Sequence, residues 1–394
     1  MTMIAVPDSR EIGRISGDLP GPMLIAVAAI HGNERAGLAA ARRALDIFSR
    51  RDGRIVGDFT ALAGNLGAAR LGKRYVERDM NRVWTAERID DVERRAAAGM
   101  ALDAEDAEQV ELLGAIRAAI ARARGPVHII DLHTTSAHGL PFVLCGDTLR
   151  QRRFVSAFPL PLVMGLEEQV EGCLTGYWTT QGCITSCVEG GQHDDPGSID
   201  NLEAVLLLGA ESCGLLGTGL LAETSNAYSL LDRRRGDLPR VMEVISRHAI
   251  TSEDAFVMEP GYLNLARVRR GQLLARDRQG EIRAPKDGFV MLPLYQGQGN
   301  DGYFWGREVS STRLRFSEAL RHMKLDRVIP MLPGIARDTS HPTRLVVEGK
   351  AARLYSLDLF HMFGYRRVRV EATRLTVERQ HEGELPLSAN VGSG

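Results

Sequence analysis

Lysine is nearly missing from this chain of 394 residues: Lys73, Lys286, Lys324 and Lys350 are the whole supply, so arginine carries almost all of the 49 basic charges. Fifty acidic residues offset them and leave a formal net charge of −1. A nucleic-acid-binding chain would show a basic excess or stripe, and none is present. Long hydrophobic runs are absent as well; none approaches the ~18 residues of a membrane-spanning helix. Met1 to Pro20 mixes charges with Gly and lacks the apolar stretch of a secretory signal. Cysteine is scarce and odd in number (Cys145, Cys173, Cys183, Cys187, Cys213), which excludes a disulfide framework in a chain this long. Cys183 and Cys187 fit neither CxxC nor a paired zinc motif and read as buried or half-buried thiols. What remains, 44% apolar and 25% charged residues, is the mix of a soluble and, on these absences, cytoplasmic protein.

The length suits two or three domains. Met23 to Ile30 is a continuous apolar run between Gly21-Pro22 and His31-Gly32, the pattern of a strand buried on both faces in a parallel sheet. Leu38, Ala41, Leu45 and Phe48 then recur at helical spacing over residues 35–50. Arg54 to Leu62, Val127 to Leu132 and Ile184 to Val188 predict further strands. Helices are predicted around Val110 to Ile120 and over residues 199–216. Alternation of this kind predicts a mostly parallel or mixed α/β sheet for residues 1–250. From Ala255 the texture changes to short alternating segments broken by Pro260-Gly261, Arg270-Gly271, Gln279-Gly280 and Asp287-Gly288. Residues 255–394 are therefore expected to form a smaller β-rich domain, a barrel or sandwich. The run Arg233-Arg234-Arg235 reads as a solvated surface turn.

Chemistry gathers at the ends of the predicted inner strands. His31 and Glu34, in His31-Gly32-Asn33-Glu34, leave one such strand three residues apart, so both can face one point. Taken alone, HxxE reads as a surface turn entering a helix; its place at the carboxyl end of a strand is where open α/β sheets hold their sites. His133, in Asp131-Leu132-His133-Thr134-Thr135, follows the next strand, with Asp131 placed to orient it. His31, Glu34 and His133 make a His₂Glu set, which leaves a fourth position open and so matches catalytic rather than structural zinc. His128 begins its strand at the wrong end, and His138 lies past the turn. Glu189, closing the strand before Gly190-Gly191, is placed to act as general base toward water. Within the charge-dense segment 73–82, Asn81 and Arg82 offer a charge-assisted clamp for a carboxylate, and a further Arg nearby could meet a developing oxyanion.

Four of these segments, HGNE at 31–34, RDMNR at 78–82, DLHTTS at 131–136 and VEGG at 188–191, together resemble the succinylglutamate desuccinylase/aspartoacylase family, relatives of the zinc carboxypeptidases. The resemblance spans about 250 residues, in the family's order. It implies one zinc ion per chain held by His31, Glu34 and His133, with Glu189 as general base and acid. It implies that Arg74 polarises the scissile carbonyl, that Asn81 and Arg82 hold a substrate carboxylate, and that Asp79 buttresses their loop. Tyr303, in the β-rich region, would contribute a hydroxyl to the pocket. The implied activity is hydrolysis of a linear amide in a small N-acylated amino acid or amine, a deacylase; a peptidase or an esterase would use the same centre. The expected partner is that small molecule rather than nucleic acid or a membrane, and self-association into a homo-oligomer is left open. One departure is plain: the family's dicarboxylate-binding members carry an Arg shortly before the catalytic Glu, and Gly176-Tyr177-Trp178-Thr179-Thr180-Gln181 has none. A neutral, aromatic or cationic substrate part facing Tyr177 and Trp178 fits that stretch better.

Overall fold

A computed structural model describes residues 4–50, 55–216, 221–339, 341–348, 357–371 and 374–379. Chain order begins β1 (Glu11–Ser16), β2 (Leu19–Ala28), α1 (Ala36–Ser49), β3 (Val56–Ala63), α2 (Leu66–Leu71), α3 (Ala86–Ala97) and α4 (Ala104–Arg122). It continues with β4 (Val127–Thr135), β5 (Phe142–Leu144), α5 (Leu149–Val155), β6 (Leu162–Met164), α6 (Leu174–Thr180), β7 (Ile184–Gln192), α7 (Pro196–Ser212), α8 (Leu221–Arg235) and β8 (Val241–Ala249). Short strands follow: β9 (Val257–Met258), β10 (Ala266–Val268), β11 (Leu273–Asp277), β12 (Gly280–Arg283), β13 (Gly288–Met291) and β14 (Asp301–Glu308). Last come α9 (Ser311–His322), β15 (Ile335–Arg337), β16 (Arg344–Glu348), α10 (Leu357–Met362), β17 (Tyr365–Glu371) and β18 (Arg374–Arg379).

Eleven strands form one sheet in the order β1-β3-β2-β4-β7-β5-β6-β8-β14-β13-β10. Strands β3, β2, β4 and β7 run parallel, as do β5, β6 and β8, while the pairs at both edges are antiparallel. The apolar run of β2 is why it sits inside: Met23, Leu24, Ile25, Ala26, Val27 and Ala28 are fully buried, alternate side chains feeding separate cores on the two faces. One core takes α1 and α7, the other α4 and α6. The sheet does not stop at residue 250; β14, β13 and β10 extend it antiparallel from β8. Two further antiparallel sheets, β12-β11-β9 and β15-β16-β18-β17, complete the β-rich C-terminal region. Arg233 to Arg235 form the last turn of α8 rather than a turn between elements, a place where cations meet the helix's free carbonyls. No helix among the described residues is long and apolar enough to cross a membrane.

The C-terminal sheet is joined to the body by buried charges. Asp147 accepts from Arg152 Nε at 2.5 Å, from Arg321 Nη2 at 2.6 Å and from Arg366 Nη2 at 2.6 Å, guanidiniums from α5, α9 and β17. Beside it, His361 lies 2.9 Å from Glu168 and 2.8 Å from Glu243. Burying any of these charges alone would cost several kcal/mol, so each is matched.

Candidate metal centre and cavity

The carboxyl ends of β2, β4 and β7 lie side by side. His31 follows β2 in a turn whose Gly32 packs against the backbone of α2; a Cβ there would sit 2.2 Å from the Ala68 carbonyl carbon, so no other residue fits. His133 lies two residues before the carboxyl end of strand β4, and the β4–β7 register pairs it directly with Glu189. Gly191 carries φ +131°, and a Cβ there would come 2.7 Å from Ser198 Oγ. That glycine lets β7 turn away just past its acid.

Glu34 is the hub. Its Oε1 is 2.8 Å from His31 Nδ1 and its Oε2 is 2.9 Å from His133 Nδ1. Thr134 N donates to Oε2 at 3.0 Å, and Arg74 Nη1 to Oε1 at 3.3 Å. Each histidine turns its other nitrogen to a carboxylate: His31 Nε2 to Asp79 at 3.1 Å, His133 Nε2 to Asp131 at 2.9 Å. Asp131 and His133 share a face because they are two apart on one strand. His31, Glu34, His133, Asp131 and Thr134 are buried, and Arg74 and Asp79 half-buried.

Ligand atoms of His31, Glu34 and His133 lie within 4.8 Å of one another. Two imidazole nitrogens and a carboxylate, each imidazole backed by a second carboxylate, are the donor set and outer partners that suit zinc. Asp131, His133 and Cys187 also converge, sharing His133. A third cluster, Glu243, Asp358 and His361, is already matched by Arg307 and Arg366 and reads as an ion network. Burial raises the Glu34 carboxyl, but the two imidazoles outweigh it and hold the group well below the usual range. Asp79 is likewise held low, His31 and Arg74 overcoming its burial. Burial pushes Glu189 up to about 8 against the pull of the His133 imidazole, and its Oε2 has no hydrogen-bond partner.

Residues 74–82 pass over the cluster. Arg74 donates through Nε at 3.2 Å and Nη2 at 3.0 Å to Asp79 Oδ2. Asp79 Oδ1 also accepts from Asn81 N at 2.9 Å. Asn81 Oδ1 accepts from Leu174 N at 2.8 Å, and its Nδ2 is 3.4 Å from His133 Nε2. Arg82 Nη2 donates to Asp301 Oδ2 at 2.8 Å. Beneath the loop, fully buried Glu105 accepts from Val76 N, Glu77 N and Arg78 N at 2.7, 2.9 and 3.2 Å, and from Asn65 at 3.0 Å.

His31, Glu34, His133, Glu189, Arg74, Asn81 and Arg82 all line one cavity of about 740 Å³, within the range of small-molecule sites. Tyr303 is the correction: it does not line the cavity. Its ring stacks on His248, centroids 5.0 Å apart, and it packs with Val290 and Trp305 in a separate core. A bulge between Asp301 and Tyr303 breaks the alternation of β14, so Asp301 and Phe304 face the cavity and Tyr303 the other side. Trp178 is also in a core, leaving Tyr177 as the aromatic that α6 offers the cavity. The α6 stretch supplies no cation to the lining, as its sequence implies. Sequence reasoning missed Asp301, Glu105, His193, Gln296 and Gln298; none stands in a motif, and all but His193, which follows Glu189 by four residues, come from outside the motif segments.

A mostly parallel α/β sheet with a His₂Glu cluster at its carboxyl edge defines the class: an α/β protein with a candidate mononuclear metal centre. Residues 20–204 match the family model for the Succinylglutamate desuccinylase/Aspartoacylase catalytic domain, which is what that stretch of the chain is similar to. No curated protein matches the chain. Among solved structures, the succinylglutamate desuccinylase/aspartoacylase from Rhodobacter sphaeroides is similar at 17% identity and TM-score 0.54, covering 76% of this chain and 88% of that one. The product-bound ectoine utilization protein EutE (DoeB) from Ruegeria pomeroyi gives 19%, 0.52, 75% and 87%. The succinylglutamate desuccinylase from Chromobacterium violaceum gives 15%, 0.52, 75% and 88%. At these identities the likeness is one of fold.

Proposed function

We propose that the protein is a zinc-dependent amidohydrolase that deacylates an N-acyl amino acid or a related small acylated amine. The observation that carries this reading is the turning of both Nδ1 atoms onto Glu34 inside the large cavity that Glu189 and Arg74 also line. A zinc ion held by His31, Glu34 and His133 would lower the pKa of water and polarise the scissile carbonyl. Glu189 Oε2, buried and without a partner, is the atom to take the proton from the attacking water and return it to the leaving amine. Arg74, fixed by Asp79 and Glu34, presents its guanidinium to the carbonyl oxygen as negative charge develops there. Asn81 and Arg82 hold the substrate carboxylate, and Tyr177, on the cation-free face of α6, offers an aromatic contact to the remainder, with Arg366 and Arg367 also lining the same cavity. Metal analysis of purified protein should find about one zinc per chain. A panel of N-acyl amino acids, short peptides and simple esters should show hydrolysis mainly of the first. Absence of both bound zinc and hydrolysis would overturn the proposal.

A further inference from the structure

The segment between β13 and β14 closes over the centre with the sequence Gln296-Gly297-Gln298-Gly299. The chain bends through Gln296 to Gln298, outside any strand, and the two glutamine side chains reach different parts of the site. Gln298 Oε1 accepts from Arg74 N at 3.2 Å, and its Nε2 donates to Tyr75 O at 3.3 Å. The Arg74 carbonyl in turn accepts from Gly32 N at 3.0 Å. The backbone of Arg74 is thus pinned between the His31 turn and one glutamine amide. Gln296 Oε1 accepts from Asn33 Nδ2 at 2.9 Å and lies 3.2 Å from His193 Nε2. The opposite nitrogen of that ring, Nδ1, is 2.8 Å from Thr134 Oγ1. One neutral tautomer satisfies both contacts, with Nε2–H donating to Gln296 and Nδ1 accepting from Thr134. Gln296 therefore links Asn33, between the ligands His31 and Glu34, to the residue after His133, through a histidine carried just past Glu189.

We infer that Gln296 and Gln298 form a two-pronged clasp through which the β-rich segment sets the geometry of the His31, Arg74 and His133 loops. They are positioning residues, since neither is assigned a contact with reacting atoms. The inference deepens the reading of this site as a hydrolase centre and rests on it for its kinetic arm only. Displacing a catalytic group by about 1 Å can cost on the order of a hundredfold in rate. Loss of one prong while the other holds is therefore expected to lower kcat about tenfold.

The variants are Gln298→Ala, Gln296→Ala and, as a control in the same segment, Tyr295→Phe. The Tyr295 hydroxyl bonds only Glu259 O and Tyr262 N, away from the catalytic loops. Gln296 and Gln298 are half-buried, so truncation leaves the cores intact. Backbone hydrogen exchange is read on each full-length protein alongside zinc content, kcat and KM on the best amide of the panel. Gln298→Ala should speed exchange at Arg74, and Gln296→Ala in residues 31–35; each should lower kcat with KM within about twofold. Tyr295→Phe should do neither. Unchanged exchange in the glutamine variants would overturn the clasp whether or not a substrate is found. Faster exchange with unchanged kcat, or equal kinetic loss in Tyr295→Phe, would reduce the contacts to structural ones and overturn it too. A wild type that hydrolyses nothing on the panel counts against the hydrolase reading, and the exchange result still decides the clasp.

Discussion

Replacing Arg74 by Ala is the sharpest perturbation of the proposed chemistry. Its guanidinium is held by three hydrogen bonds, two to Asp79 and one to Glu34, with only 13% of the side chain exposed. A donor so fixed has little reorganisation to undergo as charge grows on the carbonyl oxygen. Removing one such donor typically costs ~2.7–4 kcal/mol, or on the order of a hundred- to a thousandfold in kcat. The loss should fall on kcat and kcat/KM together, because the interaction is made in the transition state. Folding should survive: Asp79 keeps its bonds to His31 Nε2 and Asn81 N, and Glu34 keeps both imidazoles and Thr134 N. Arg74→Lys should fall between, since an ammonium retains the charge but not the fork that spans two carboxylates. The assay is steady-state hydrolysis of the best amide, with zinc per chain measured on the same samples. A fully metallated Arg74→Ala enzyme whose kcat stays within twofold of wild type refutes the assignment.

Three further outcomes are expected. Glu34→Ala should lose both zinc and activity, since two imidazoles alone remain; full zinc occupancy would refute the ligand set. Arg82→Ala should raise KM about tenfold or more while kcat moves less, because a charge-assisted bond of ~1.5–3 kcal/mol to the substrate carboxylate is lost; an unchanged KM would remove Arg82 from substrate binding. Glu243, beside His361 and Arg307, has its carboxyl lowered to about 2 despite burial. A depressed carboxylate stabilises the fold above its unfolded pKa and loses that contribution as pH falls through the folded value, here on the order of 3 kcal/mol lost between about pH 5 and pH 2. Urea unfolding of wild type against Glu243→Gln should show a difference largest near pH 7 and shrinking on acidification; a gap that does not change with pH would mean that this group's ionisation contributes nothing.

What could be seen beforehand was whatever strand periodicity controls. The buried run of β2 and the shorter β4 and β7 runs placed His31, His133 and Glu189 at neighbouring strand ends, because a parallel sheet brings its carboxyl ends together. The i, i+2 rule likewise exposed Asp131 as the partner of His133. Tyr303 went astray for the converse reason: a bulge in β14 reverses which face each residue takes, and no local pattern announces it. The pairing of β14 with β8 was equally silent, since the turn signals between them describe short hairpins and not which edge they join. Asp301, Gln296 and Gln298 act across sequence separations of 219, 263 and 224 residues, where only the folded chain makes them neighbours.

Asp147 has a consequence for how this polypeptide can be divided. A fragment ending at residue 310 would leave that carboxyl with Arg152 alone and deprive Glu168 of both His361 and Arg366. The complementary piece would carry Arg321 and Arg366 with no Asp147 to receive them. Neither part is electrically self-sufficient, and uncompensated buried charge is severe enough to oppose folding of each alone. Limited proteolysis in the α8–β8 or β14–α9 connections should therefore yield nicked molecules that stay together, not two separable products.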